Sequence, residues 1–200
     1  MKRKNLILVL ILSLTMVLSA CAAKDNNGEE KDLVDNKENK PIVSMEDSSK
    51  EDEPMKMPPF TLKTIDGEEI SSDIFGDYDM TIISLWQSTW GPCIGELEAL
   101  NVIYEEYKVK GVNVLGIALD DIENYGDEGV RGIIELLELD FPNVIADVDY
   151  IMELITFVRS TPTAIIVDEN GEFLLAPILG SRGKDKDIEN FRALIEELQE

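Results

Sequence analysis

One switch of hydrophobic period constrains this chain more than any other feature. Thr81-Ile82-Ile83-Ser84-Leu85-Trp86 is a nearly continuous, β-branched apolar run, the pattern of a strand buried on both faces. From Ile94 to Lys110 the apolar residues recur at three- and four-residue spacing. Leu97, Leu100, Val102, Ile103, Tyr104 and Tyr107 alternate with Glu96, Glu98, Glu105 and Glu106, which predicts an amphipathic helix stopped by Gly111. Only Gln87-Ser88-Thr89-Trp90-Gly91-Pro92-Cys93 separates the two. A strand that passes through a Gly-Pro turn straight into a helix puts Cys93 in the first helical turn. Unpaired backbone N–H groups and the positive end of the helix dipole favour a thiolate there.

The flanking sequence repeats the alternation. Met57 to Leu62 reads as a short edge strand, and Asp66-Gly67 as a hairpin turn returning through Glu68 to Ile70. Ser71 to Phe75 reads as a brief helical turn. Val112 to Leu119 is a second buried strand, and Asp120-Asp121 at its carboxyl end falls where α/β sheets place their sites. Glu128 to Leu139 is predicted as a helix, Val144-Ile145 as a short strand and Val148 to Val158 as a further helical stretch. Ser160-Thr161-Pro162-Thr163 leads into the strand Ala164 to Val167. Asp168 to Gly171 turns it back through Phe173 to Ile178, and Asp187 to Leu198 closes the chain as a helix. The expected fold class is α/β: a mixed central sheet flanked by helices, with an N-terminal β-hairpin extension.

The chain begins with a basic Met1-Lys2-Arg3-Lys4-Asn5, an apolar run from Leu6 to Leu18, and Leu18-Ser19-Ala20-Cys21. The run is too short for a bilayer span and reads as a secretory signal. Small residues before a cysteine resemble the bacterial lipoprotein signal, in which that cysteine becomes the lipidated first residue. The expected organisation is a signal over residues 1–20, an acidic disordered tether over 21–55 and one domain over 56–200. Lipidation of Cys21 leaves Cys93 as the one remaining thiol, in an exported and oxidising compartment. The chain therefore has no internal structural disulfide. With 41 acidic and 18 basic residues, net −23, the charge argues against nucleic acid as a partner and against electrostatic attachment to a membrane. There is no histidine, so Ser-His and Cys-His catalytic pairs and His-containing zinc sites are excluded.

Taken together, the lipoprotein signal, the Phe60-Thr61-Leu62 hairpin, the Trp86 to Cys93 junction, Thr161-Pro162-Thr163 before a strand and the Asp168 to Gly171 turn resemble the TlpA- and ResA-like thiol–disulfide oxidoreductases. These are a membrane-anchored branch of the thioredoxin superfamily with redoxin-like domains. The resemblance covers roughly Met57 to Glu200. It implies a thioredoxin-like fold, no cofactor, no metal, and location on the extracytoplasmic side of the cell membrane. It implies protein thiols and disulfides as substrates, with a membrane electron-carrier protein as a partner. Cys93 matches the family's second, resolving cysteine, and Trp90 occupies the place of the first. Gly91 and Pro92 complete that turn. Pro162, after Thr161, matches the proline whose cis peptide bond faces the site, and Glu96 matches an acidic residue that tunes the cysteines.

Dithiol reduction needs one sulfur to attack and a second to resolve. With Trp90 in the first place, an internal disulfide cannot form. Two readings follow. Either Cys93 works on protein thiols as a monothiol, or the domain is a redox-inactive module whose Trp86, Trp90 and Pro162 hold an extended peptide. A one-cysteine peroxidase fits less well. The threonine such a site uses is replaced by Trp90, and Pro162 stands where its arginine would be.

Overall fold

The computed structural model describes residues 54–200. The expected signal, Cys21 and nearly all of the tether lie outside the described residues. The elements run β1 (Thr61–Thr64), β2 (Glu69–Ser71), β3 (Met80–Trp86), α1 (Gly91–Tyr107), β4 (Val112–Ala118), α2 (Ile122–Tyr125), α3 (Glu128–Leu136), β5 (Asn143–Ile145), α4 (Val148–Leu154), β6 (Thr163–Asp168), β7 (Ile178–Leu179) and α5 (Lys184–Leu198). All seven strands join one sheet in the order β2-β1-β5-β4-β3-β6-β7. The centre, β3-β4-β5, is parallel, and β6 runs antiparallel to β3. The β1–β2 hairpin extends the far side by pairing antiparallel with β5.

The pleat of β3 decides what meets α1. Successive strand residues point to opposite faces. Ile82 and Trp86 pack with Cys93, Leu97, Leu100, Phe191 and Ile195 in the core beneath α1 and α5. Ile83 and Leu85 enter the opposite core with Phe60, Phe75, Tyr150 and Leu154. Ser84 shares the face of Ile82 and Trp86, and so points toward α1 in the middle of an apolar layer.

Several boundaries differ from the expectation for physical reasons. The edge strand of the hairpin is β2; β1 lies between β2 and β5 and begins at Thr61. Helix α1 begins at Gly91 rather than Ile94, because Pro92 falls in the first turn, where its missing N–H costs nothing. Helix α3 ends at Leu136 rather than Leu139. Glu138 takes a left-handed φ of 49°, the one positive φ outside glycine among the described residues, and the helix ends there. Helix α4 stops at Leu154, short of Val158. The return strand expected over Phe173 to Ile178 is interrupted. Phe173 bridges Val167, and regular pairing resumes only at Ile178–Leu179, just past Pro177, which has no N–H to give the ladder.

Candidate functional site

Trp86 ends β3, and the next four residues form a tight loop into α1. Trp90 is the helix N-cap, extended at φ −112° and ψ 107°, with no side-chain cap. Its N–H donates to the Gln87 carbonyl at 3.3 Å, and the Cys93 N–H donates to the Trp90 carbonyl at 2.9 Å. These bonds wind the turn so that the Cys93 side chain enters the protein while Gly91 and Pro92 stay exposed.

Two neighbouring loops hold this one in place. The Thr161–Pro162 peptide bond is cis, and Pro162 is buried at the start of β6. The Thr161 hydroxyl donates to Gln87 Oε1 at 3.0 Å, tying the proline turn to the cysteine loop. On the other side, the carboxylate of Asp120 accepts from the Ser88 hydroxyl at 2.5 Å and from the Ser88 N–H at 3.1 Å. Gly129 allows α3 to approach the same loop, since a Cβ there would lie 2.7 Å from Ser88 Oγ.

Cys93 is a free thiol with no exposed surface. Burial pushes its pKa above that of an ordinary thiol. A hydrogen bond from the Gln87 backbone opposes that shift, the negative charge of Glu96 adds to it, the Thr161 side chain opposes it, and Asp120 adds a last increment. The helix N-terminus therefore does not leave this thiol acidic. Trp90 behaves oppositely: 53% of it is exposed, so the indole stands out at the mouth of the site.

Glu96 is 1% exposed. It stands three residues after Cys93 and four before Leu100, on the buried stripe of α1 rather than among its solvated carboxylates. Ser84 donates to Glu96 Oε1 at 2.7 Å. Burial raises the Glu96 pKa to about 7; the Ser84 bond opposes the rise, and the nearby carboxylate of Asp187 adds to it. Asp187 is itself buried, accepting from the Ser181 hydroxyl at 2.5 Å and the Arg182 N–H at 2.9 Å.

The structure thus brings Cys93, Glu96, Thr161 and Pro162 around one point, with Trp90, Gly91 and Pro92 on its outer side. Cys21 lies outside the described residues. Ser84, Gln87, Ser88 and Asp187 also shape the site. Of these, only Ser84 carried a signal in the sequence, as a hydroxyl set between Ile83 and Leu85 in an apolar strand. Among the described residues no group of three or more Cys, Asp or Glu side chains could hold a metal ion.

The AhpC/TSA family model matches residues 55–173. The thiol-disulfide oxidoreductase ResA of Bacillus cereus is 25% identical over 130 residues, 64% of this chain and 70% of that protein. The sporulation thiol-disulfide oxidoreductase A of Bacillus subtilis is 29% identical over 113 residues, 56% of this chain and 66% of that protein. The thioredoxin domain of a thiol-disulfide oxidoreductase from Bacteroides vulgatus superposes with a TM-score of 0.59 at 22% identity, covering 71% of this chain and 96% of that one.

Proposed function

Because this chain belongs to the AhpC/TSA family and is a ResA-like protein of thioredoxin fold, we propose that it is an exported, lipid-anchored thiol–disulfide oxidoreductase relative reduced to a single working thiol, Cys93. The observation that carries this reading is the position of that thiol. It sits in the first turn of α1, and the loop before it is tied through Gln87 to Thr161, the residue that precedes the buried cis proline.

In the proposed step the Cys93 thiolate attacks a disulfide of a partner protein. A Cys93–partner disulfide forms, and the partner's other sulfur leaves as a thiolate and takes up a proton. A thiol from outside the chain, on a second protein or on a membrane electron carrier, then attacks the mixed disulfide. It attacks the partner's sulfur, so the bond to Cys93 breaks, Cys93 leaves as a thiolate and is reprotonated, and the disulfide passes to the bond between the partner and the outside thiol. Gly91, Pro92, Thr161 and Pro162 form the scaffold of the site. Glu96 tunes the thiol from the helix stripe, and Trp90 occupies the place from which a first cysteine would have attacked. The anchor is Cys21, and the domain faces the extracytoplasmic side.

A second reading rests on one contrast: the sulfur is fully buried with its pKa raised, while the Trp90 indole is half exposed. In that reading the domain binds an extended peptide beside Pro162 and performs no redox chemistry.

Three variants separate the two readings. The first expects wild-type protein to be trapped by a disulfide-bearing partner and Cys93→Ser to lose the adduct. It also expects Trp90→Cys to gain reduction of a protein disulfide. Native Cys93 that resists alkylation until the fold is opened by denaturant refutes it. The second expects Cys93→Ser to bind peptide as wild type does and Trp90→Ala to bind more weakly; the reverse pattern refutes it.

A further inference from the structure

We propose that the groove between the β1–β2 hairpin, α2 and α4 is a docking site for an extended segment of a partner protein carrying a lysine or arginine among apolar residues. The groove encloses about 720 Å³ at the carboxyl ends of β4 and β5. Neither Trp90, Cys93 nor Pro162 lines it, so the proposal stands whether or not Cys93 exchanges disulfides.

Its floor is apolar, built from Leu62, Ile122, Ile145 and Ile151. Val148 forms part of the wall and is 69% exposed. Met152 and Ile155 continue from it at helical spacing, both exposed, so an apolar strip runs out of the groove along α4 and beyond its end. A small ligand would leave that strip uncovered, whereas a segment of several residues covers it.

The rim is acidic. Asp121 and Asp147 accept backbone N–H groups at the starts of α2 and α4, Asp120 holds Ser88, and Asp127 pairs with Arg131 at 3.4 Å. Glu123 makes no hydrogen bond or ion pair among the described residues. Against these five carboxylates the lining offers one cation, Lys63. The field selects a basic occupant. It rejects a second copy of this chain, which carries a net charge of −23.

Asp120 belongs to both places. It lines the groove and also holds the loop that leads to Cys93. A cationic side chain beside it would weaken the negative field that Cys93 feels, so occupation should make the thiol easier to ionise.

The test uses the purified protein and a fluorescent ten-residue peptide alternating Lys with Leu and Val, compared with the same peptide carrying Glu for Lys. The lysine peptide should bind at least about tenfold more tightly and lose most of that advantage at about 0.5 M salt. Glu123→Lys and Val148→Ser alter exposed side chains; each should weaken binding by about three- to tenfold with unchanged urea unfolding. Amide shifts on titration should move at Ile122, Ile145 and Val148. Equal binding of the two peptides, indifference to both substitutions, or shifts confined to Trp90 and Thr161 would overturn the proposal. So would an octylammonium probe that binds as tightly as the peptide, which would assign the groove to a small organic cation.

Discussion

Glu96→Gln is the sharpest perturbation available. The wild-type carboxyl is buried and titrates at about 7, against 4.5 for an unperturbed glutamate. Its folded pKa is raised, so between those two values the native state holds a proton that the unfolded chain has released. Stability from this group is therefore complete below about pH 4.5 and declines as pH rises, levelling off above pH 7. A shift of this size amounts to about 3 kcal/mol in full, of which about 2.5 kcal/mol develops between pH 5 and pH 8.5. Glutamine keeps an oxygen to accept the Ser84 hydroxyl and cannot ionise. The assay is urea unfolding of both proteins across that range, read as the difference between them so that every other carboxylate cancels. Glu96→Gln should gain about 2.5 kcal/mol on wild type between pH 5 and pH 8.5, whatever their order at pH 5. A difference flat with pH would mean that Glu96 already ionises at an ordinary pKa in the fold. A difference that shrinks with pH would reverse the sign and refute the burial argument outright.

Three further outcomes test the rest of the site. The alkylation rate of Cys93 in the native protein should reach half its maximum above the ordinary thiol value, and Thr161→Val should move that midpoint higher by removing a polar side chain that opposes the rise; an unchanged midpoint in the variant would dismiss the influence of Thr161. Ser88→Ala removes the hydroxyl that holds Asp120 and should cost about 1 kcal/mol in urea unfolding, with faster amide exchange from Gln87 to Trp90 as the local signature. Gly116→Ala puts a Cβ 1.8 Å from Asn143 Oδ1 and 3.1 Å from Trp86 Nε1, deep in the sheet, and should cost at least about 1–3 kcal/mol; a stable variant would mean that the Asn143 side chain moves freely.

The strand, loop and helix around Cys93 were legible because their periods change abruptly at Trp86 and again after Pro92. The sheet order was less so. Nothing local in Thr61 to Thr64 says that it pairs with β5, because that partner is reached only through the closed fold. The burial of Glu96 is legible in its spacing and hidden by its charge. Grouped by charge with Glu98 and Glu105 it looks solvated, yet its spacing from Cys93 and Leu100 puts it on the buried stripe. The position of Asp120 at a strand's end brings it near the site, but its grip on Ser88 depends on two loops separated by 32 residues in sequence. The burial of Cys93 was undecidable from sequence, because helix-end electrostatics and desolvation push a thiol in opposite directions and only the packing sets their ratio.

That ratio bears on what the site can still do. A leucine at position 96 would extend the apolar stripe of α1 and avoid the penalty that a buried carboxyl imposes above pH 7. What glutamate supplies and leucine cannot is a group that exchanges a proton near neutral pH within electrostatic reach of Cys93. A module that only held a peptide against Trp90 and Pro162 would draw nothing from such a group, whose oxygen faces Ser84 inside the core. A thiol that must ionise to attack a disulfide does feel it: the ionised Glu96 carboxylate opposes the thiolate. The buried carboxyl is thus coupled electrostatically to Cys93, and that coupling is what the proposed redox reading would use. Glu96→Gln then serves twice, since the substitution that removes the pH dependence of stability should also lower the pKa of the thiol.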